Sequence, residues 1–278
     1  MIMEQTIQTA HGSFAKGVLG RTGLSVGRLG LAASYGAPPA AFEEAFERGC
    51  NYFYIGSGRR RANMKTAIRN ICENGHREHL VVAVQTYARF GLLTETLFRR
   101  NLRSMGLAHA DILMLGWHNR RPAQRLMDMA LRLKQNGLCR FIGMSGHSRG
   151  LFVQLTKEGV FDLFHVRYNA AHRGAETETF PFLKGDSRPG VVSYTATRWG
   201  HLLKSEKMPE GEPPLRASDC YRFAMSHPAV DVCLCGPSNM EQMREALTAL
   251  DLGPLSEAEM ERARRVGDHV HRHGGGFF

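Results

Sequence analysis

Long apolar runs are missing from this chain. No stretch reaches the length of a membrane-spanning helix, and the first residues hold no apolar segment of the export type. The expectation is a soluble, cytoplasmic protein with no membrane partner. Cysteine is also sparse. Cys50, Cys72, Cys139, Cys220, Cys233 and Cys235 form no CxxC pair, which excludes a disulfide framework and a zinc ribbon. Cys233 and Cys235 lie two apart in an apolar run and share a face, as core thiols do. No GxGxxG stands between a strand and a helix, and there is no P-loop and no HExxH. Rossmann, P-loop and zincin chemistries are therefore unsupported, and no specific metal site is expected, the His269, His271 and His273 tail included. Carboxylates are the scarcer charge: 26 Asp and Glu against 36 Lys and Arg leave a net +10. Aromatic residues are not interleaved with the basic ones, which argues against nucleic acid.

What is present is a regular alternation. The 278 residues are 43% hydrophobic, enough for one large domain. A Gly-Arg-Thr-Gly turn within 14–24 predicts a short hairpin. Apolar strand patterns then fall at 26–34, 51–55, 80–86, 111–117, 141–145, 163–168, 190–195 and 230–235. Helical patterns fall at 40–48, 62–73, 94–105 (capped by Thr94), 123–136, 149–157, 175–183, 218–226, 240–250 and 257–269. Near-continuously apolar strands separated by helices predict a parallel α/β barrel, a (β/α)8 TIM barrel with an N-terminal β-hairpin. The expected organisation is a flexible segment 1–13, a single barrel 14–270 and a flexible tail 271–278.

Several segments in that order resemble the aldo-keto reductases. Leu19-Gly20-Arg21-Thr22-Gly23-Leu24-Ser25-Val26 resembles the hairpin that enters that family's first strand, and Gly49-Cys50-Asn51-Tyr52-Phe53 its second-strand approach. Asp111-Ile112-Leu113-Met114-Leu115 and Phe141-Ile142-Gly143-Met144-Ser145 resemble its fourth and fifth strands. The run 190–194 with 200–203 resembles the seventh strand and its loop, and 226–230 with 236–242 the eighth strand and the helix that follows. The resemblance implies a (β/α)8 barrel that reduces a carbonyl with a nicotinamide dinucleotide, usually NADPH, with NADH as the alternative. It implies an Asp, Tyr, Lys and His at the barrel mouth. The matching positions here are Tyr54, Arg59, Gln85 and Gly116, with Trp117 kept. On the cofactor side it implies Tyr194 against the nicotinamide, Ser145 and His165 at its amide, and Gly236, Ser238, Gln242 and Glu245 along the rest. Gly146 stands where the family has Asn, and Ala246 likewise.

With that tetrad replaced, strand parity selects other candidates for chemistry. Tyr54 takes the inward aspartate position. His118 lies two beyond Gly116, should face the same way, and is expected to use the space that Gly116 leaves. Tyr54 and His118 are the expected acid pair, a protonated phenol beside an imidazole relay, with Arg59 nearby. The alternative is that Tyr54 only fills volume with one hydrogen bond. Arginines follow most strands: Arg59, Arg60, Arg61, Arg89, Arg120, Arg121, Arg149, Arg173 and Arg198. Their forks suit carboxylate or phosphate, so an anionic small-molecule substrate is expected at Arg60, Tyr87, Trp117, Tyr168, His172, Arg173 and Arg198. A generally basic surface is the alternative for the arginines. Three functions remain open: a reductase with a non-standard proton donor, a catalytically silent barrel that binds a nucleotide or anion, and a redox-neutral enzyme using the same mouth. Oligomeric state is not legible.

Overall fold

The computed structural model describes residues 14–273. Segments 1–13 and 274–278, both expected to be flexible, lie outside the described residues.

A two-stranded antiparallel hairpin, β1 (Gly17–Val18) with β2 (Ser25–Val26), opens the chain. Its loop turns at Gly23, whose φ of 69° suits glycine. The predicted strand 26–34 is split, because Val26 belongs to the hairpin and β3 is only Leu29–Ala32. The split falls at Gly27, where a Cβ would lie 2.2 Å from the Gly49 carbonyl oxygen.

Eight parallel strands close into a barrel. After β3 come β4 (Tyr52–Ile55), β5 (Val81–Thr86), β6 (Ala110–Leu115), β7 (Cys139–Gly146), β8 (Leu163–Arg167), β9 (Gly190–Tyr194) and β10 (Val232–Cys235), and β10 pairs back to β3. The surrounding helices are α1 (Pro39–Glu47), α2 (Ala62–Glu73), α3 (Gly91–Ser104), α4 (Gln124–Gln135), α5 (Arg149–Glu158), α6 (Ala175–Glu178), α7 (Ala217–Met225), α8 (Met240–Leu252) and α9 (Glu257–His273). Helix α3 starts one turn earlier than predicted. Thr94 does not cap it; its side chain is drawn inside and donates back to the Phe90 carbonyl at 3.0 Å. The predicted helix 175–183 breaks into α6 and a 3-10 turn at Phe180–Phe182, where Pro181 cannot continue the α-helical ladder. Helix α9 runs through His271 to His273, so these three residues are not tail.

Alternation on each strand makes two cores. Inside the barrel, Tyr52, Val81, Ala83, Ile112, Met114, Leu163, Val192, Val232 and Leu234 pack together, and Leu19, Leu24 and Val26 of the hairpin close the lower end. Between barrel and helices lie Phe42, Phe53, Ile68, Phe98, Phe152, Phe164 and Phe223, among others.

The lower rim is held by a repeated device. Asn51 accepts from the Gly27 amide (2.9 Å), Asp111 from Val82 (2.9 Å), Asp162 from Ile142 (2.9 Å) and Asp231 from Val191 (2.8 Å). The four links join β3 to β4, β5 to β6, β7 to β8 and β9 to β10, one at every second strand boundary. Each carboxylate also meets cations: Arg77 and Arg140 at Asp111, Arg21 and Lys134 at Asp162, and Arg188 at Asp231. Asp111→Ala, which strands the buried Val82 amide and removes the partner of two solvent-reachable guanidiniums, is expected to cost about 2 kcal/mol. Asp111→Asn, which keeps the amide acceptor, should cost less. Urea denaturation of the two variants measures both.

Candidate active site

The mouth is set by where each strand ends. Parity holds inside a strand and fails beyond it. Strand β6 stops at Leu115, and Trp117 turns into the left-handed region with φ 55°. His118 therefore does not join the inward row. Its Nε2 lies 2.6 Å from Arg89 Nη1. A guanidinium can only donate, so this nitrogen accepts and the ring is neutral. Burial, and then the Arg89 charge, bring its pKa down to about 4. The expected Tyr54–His118 pair is not formed, and a neutral acceptor locked to an arginine is no proton relay. The space above Gly116 is not used by His118 either. A Cβ there would lie 2.6 Å from Gln85 Nε2, because the Gln85 side chain fills it.

Tyr54 faces inward, as expected, but with other company. Its ring lies 4.9 Å from that of His165, and Tyr87 is near enough to raise its pKa. Burial first, then the neighbouring Tyr87, hold its pKa well above the usual phenol value, so it stays a protonated hydroxyl. His165 is turned down into the barrel, with Nε2 2.8 Å from the Tyr52 hydroxyl, and burial depresses its pKa to about 3. This neutral imidazole is occupied by Tyr52 rather than offered at the rim. Tyr87, 43% exposed, links buried Tyr54 to solvent.

The cofactor-matched residues divide. Tyr194 ends β9 with its ring half-buried and its hydroxyl donating to the Gly146 carbonyl at 3.1 Å. Ser145 accepts from the Trp117 amide (3.0 Å) and lies 3.4 Å from Gln85 Oε1. Gly146 could not be Asn in this backbone, since a Cβ would lie 2.1 Å from the His118 carbonyl oxygen. Gly236 carries the Tyr35 ring, 2.3 Å from where a Cβ would stand. At the start of α8, Asn239 caps the Gln242 amide, and the Ser238 hydroxyl donates to Gln242 Oε1 at 2.8 Å. Glu245 instead ties α8 to α7 through the Ser218 hydroxyl and amide. A cleft of about 530 Å³ runs beside Ser238, lined by Tyr35, Gly36, Arg60, Ala62 and Asn63.

Of the expected substrate contacts, Tyr87 and Trp117 reach the mouth and Arg60 lines that cleft. Four others do not offer themselves. Tyr168 is the outward residue after Arg167, fully buried against Phe180, Phe223 and His227, with its hydroxyl on Glu176 at 2.6 Å. Arg173 is bound to Asp268 and to the carbonyls of Ala170 and Arg264. Arg198, buried with φ 50°, donates to the Val270 carbonyl of α9. His172 is buried against His271, 5.3 Å between rings, with its pKa near 3 from burial and then Arg167, Arg198, His271 and Arg149. Among the other mouth arginines, Arg89 holds the Gly116 and Trp117 carbonyls, Arg121 pairs with Glu158, and Arg149 with Glu178. Arg59 begins a 3-10 turn, Arg59–Arg61, and its side chain lies outside the described residues. Arg167, which is not among the expected site residues, lies two beyond His165 on the same inward row and opposite Tyr194. The same parity used for Tyr54 would have found it. Its charge lowers the pKa of His147 and His172. Tyr35 and Asn63 were missed because they sit on a turn and a helix start, outside any strand row.

A solved aldo-keto reductase from Bacillus halodurans, in its holo form, superposes with a TM-score of 0.75 at 18% identity, over 91% of this chain and 96% of that one. The fold is that of the aldo-keto reductases. One from Klebsiella pneumoniae, solved with NADP and acetate, gives 0.73 at 18% identity over 90% and 95%. Another from Klebsiella pneumoniae, solved with NADPH, gives 0.72 at 17% over 93% and 96%. No family model matches the chain. At these identities the likeness speaks for the fold alone. No helix of the described residues is long and apolar enough to cross a membrane, and no cluster of three or more metal-ligating side chains occurs among them.

Three neutral histidines make the mouth acid-sensitive. The unfolded chain takes up protons near the ordinary histidine pKa of about 6.5, whereas His118, His165 and His172 resist until about 4, 3 and 3. Their contribution to stability is intact above pH 6.5 and is lost as the pH falls toward 4 and below. Denaturant midpoints measured from pH 7 to pH 4 should fall, and His118→Gln should flatten part of that fall.

Proposed function

We propose that the protein is an oxidoreductase of the aldo-keto reductase type, reducing a carbonyl on a small anionic substrate with NADPH. NADH is the alternative cofactor. The observation that carries this reading is a protonated hydroxyl, Tyr54, set at the barrel mouth among Tyr87, Tyr194 and His165. The NADP(H)-bound barrels of like fold from Klebsiella pneumoniae support the choice of cofactor.

The residues present fit a dinucleotide unevenly. The Tyr194 ring and the Ser145 hydroxyl would meet the nicotinamide end, although Gly146 and the inward-turned His165 supply nothing to its amide. Ser238, Gln242 and Arg60 would meet the polar remainder, where the amino-terminal end of α8 favours negative charge. When bound, the cofactor supplies hydride to the carbonyl carbon. Tyr54 gives its proton to the carbonyl oxygen. Burial opposes leaving Tyr54 as a phenolate, so the reaction depends on what offsets that cost. The Tyr87 hydroxyl can donate to the phenolate, and its exposed position lets solvent return the proton. The Arg167 guanidinium adds a positive field beside Tyr194, and with Arg60 it is the cation best placed for a substrate carboxylate or phosphate.

A second reading has its own observation. Glu245, Gln85 and His165 are all engaged with protein partners, as in a barrel that binds an anion without turning it over. A redox-neutral reaction at the same mouth is the remaining alternative.

Titration of the purified protein with NADPH and NADH, followed by nucleotide fluorescence, separates these. Saturable NADPH binding with turnover of an anionic aldehyde or ketone is expected; no binding sinks the reductase reading, and binding without turnover favours the silent barrel. Tyr54→Phe should lower kcat roughly 100-fold with the NADPH Kd unchanged, and Tyr87→Phe should lower it less. Equal rates for Tyr54→Phe and wild type would remove Tyr54 from its role.

A further inference from the structure

On the flank of the barrel, α2 and α3 bring together a carboxylate-free basic groove and an uncovered apolar helix start. Lys65, in the first turn of α2, donates to Asn101 Oδ1 and to the Ser104 hydroxyl in the last turn of α3, both at 2.8 Å. Arg69 donates to the Ser104 carbonyl at 2.7 Å. Helix α2 therefore begins alongside the end of α3, and the first two turns of α3 have nothing from α2 beside them. Phe90 (76% exposed), Leu92 (78%), Leu93 and Leu97 stand there in solvent. Leu93, Leu97, Arg100 and Ser104 fall on one helical stripe, so the apolar start runs directly into the groove.

The charge of that groove has one sign. Arg61, Lys65 and Arg69 recur every four residues along α2, and Arg100 faces them from α3. Helix α2 has no carboxylate before Glu73, its last residue, and the single carboxylate of α3, Glu95, is held by Arg99. Among the described residues, none of Lys65, Arg69 and Arg100 has an acidic partner. Burial first, and then the charges of Arg61, Arg100 and Arg69, bring the Lys65 pKa down to about 8.

We infer that this flank docks on an anionic lipid bilayer, with Phe90, Leu92, Leu93 and Leu97 entering the interface and Arg61, Lys65, Arg69 and Arg100 meeting the headgroups. Exposed leucines and an aromatic side chain beside unneutralised cations are the complement of an anionic interface, where apolar burial and charge attraction add. An acidic soluble partner would answer the groove but leave Phe90 and Leu92 in water. A second copy of this chain would set like charge against like. An interfacial contact needs no spanning segment, so it amends the expectation that no membrane takes part. It does not rest on the proposed reductase activity.

The test is co-sedimentation of the full chain with vesicles of equimolar phosphatidylcholine and phosphatidylglycerol, against vesicles of phosphatidylcholine alone. Binding to the anionic vesicles only, suppressed by high salt, is expected. Leu93→Ser with Leu97→Ser, and separately Arg69→Glu with Arg100→Glu, should each weaken binding by about tenfold or more, with unchanged circular dichroism. Leu93, Leu97 and Arg100 are exposed, whereas Arg69 is half-buried on the Ser104 carbonyl, so the leucine pair and Arg100→Glu alone keep the test readable if the Arg69 variant loses its fold. Failure of the wild type to bind anionic vesicles overturns the inference. So does binding that neither pair weakens, which would place the contact on another face. A dimer in sedimentation velocity that the leucine pair dissolves, with no vesicle binding, would assign the patch to self-association instead.

Discussion

A parallel barrel leaves a problem at its lower rim. The first amides of each strand face the outgoing ends of helices rather than a regular ladder partner, and a buried donor left unpaired is costly. Here Asn51, Asp111, Asp162 and Asp231 each reach sideways to the neighbouring strand's amide, at alternate boundaries around the ring. Three of the four are charged and would be expensive alone, but each has at least one cation against it. The stagger of the strands is fixed at that end, and everything at the upper end inherits it. Tyr54 stands over His165, and Arg167 opposite Tyr194, because the register below admits no slip.

At the upper rim the same basic excess does a different job. Guanidiniums tie loops and helix ends together: Arg89 holds the turn after β6, Arg149 the last residue of α6, and Arg173 and Arg198 hold the final helix. What looked from the sequence like a ring of ligand-binding cations is mostly a set of internal fastenings. Their charge still bears on the mouth: burial is the first cause of the lowered His172 pKa, and Arg198 and Arg149 add to it. An anion entering there would meet the field of many cations and direct contact with few.

The barrel was legible because its strands are short, apolar and regularly spaced, and the interior row was legible because side chains alternate. That rule placed Tyr54 inward, and it would have placed Arg167; Gln85, Ser145 and Tyr194 came from the family resemblance instead. The rule failed at His118, where the backbone turns at Trp117, whereas Tyr168 keeps the alternation and simply falls on the outward side. The rule could not foresee that His165 would turn to Tyr52, because two inward residues on different strands meet only in three dimensions. Nor could it tell an arginine that waits for a ligand from one that caps a carbonyl. The Thr94 cap failed through tertiary override: a buried threonine bonded to its own helix instead of starting it.

Gly116 and Gly146 look like simple losses in sequence. In the folded chain each is occupied space. The Gln85 side chain lies where a Gly116 substituent would begin, and the His118 carbonyl lies where one on Gly146 would begin. A larger residue at either site thus collides with a neighbour already in place. Gln85 would have to yield before Gly116 could, and the turn at Trp117 would have to unwind before Gly146 could. The mouth is therefore set by coupled positions: a side chain at Gly116 or at Gly146 is admitted only together with a second change, at Gln85 or at the Trp117 turn.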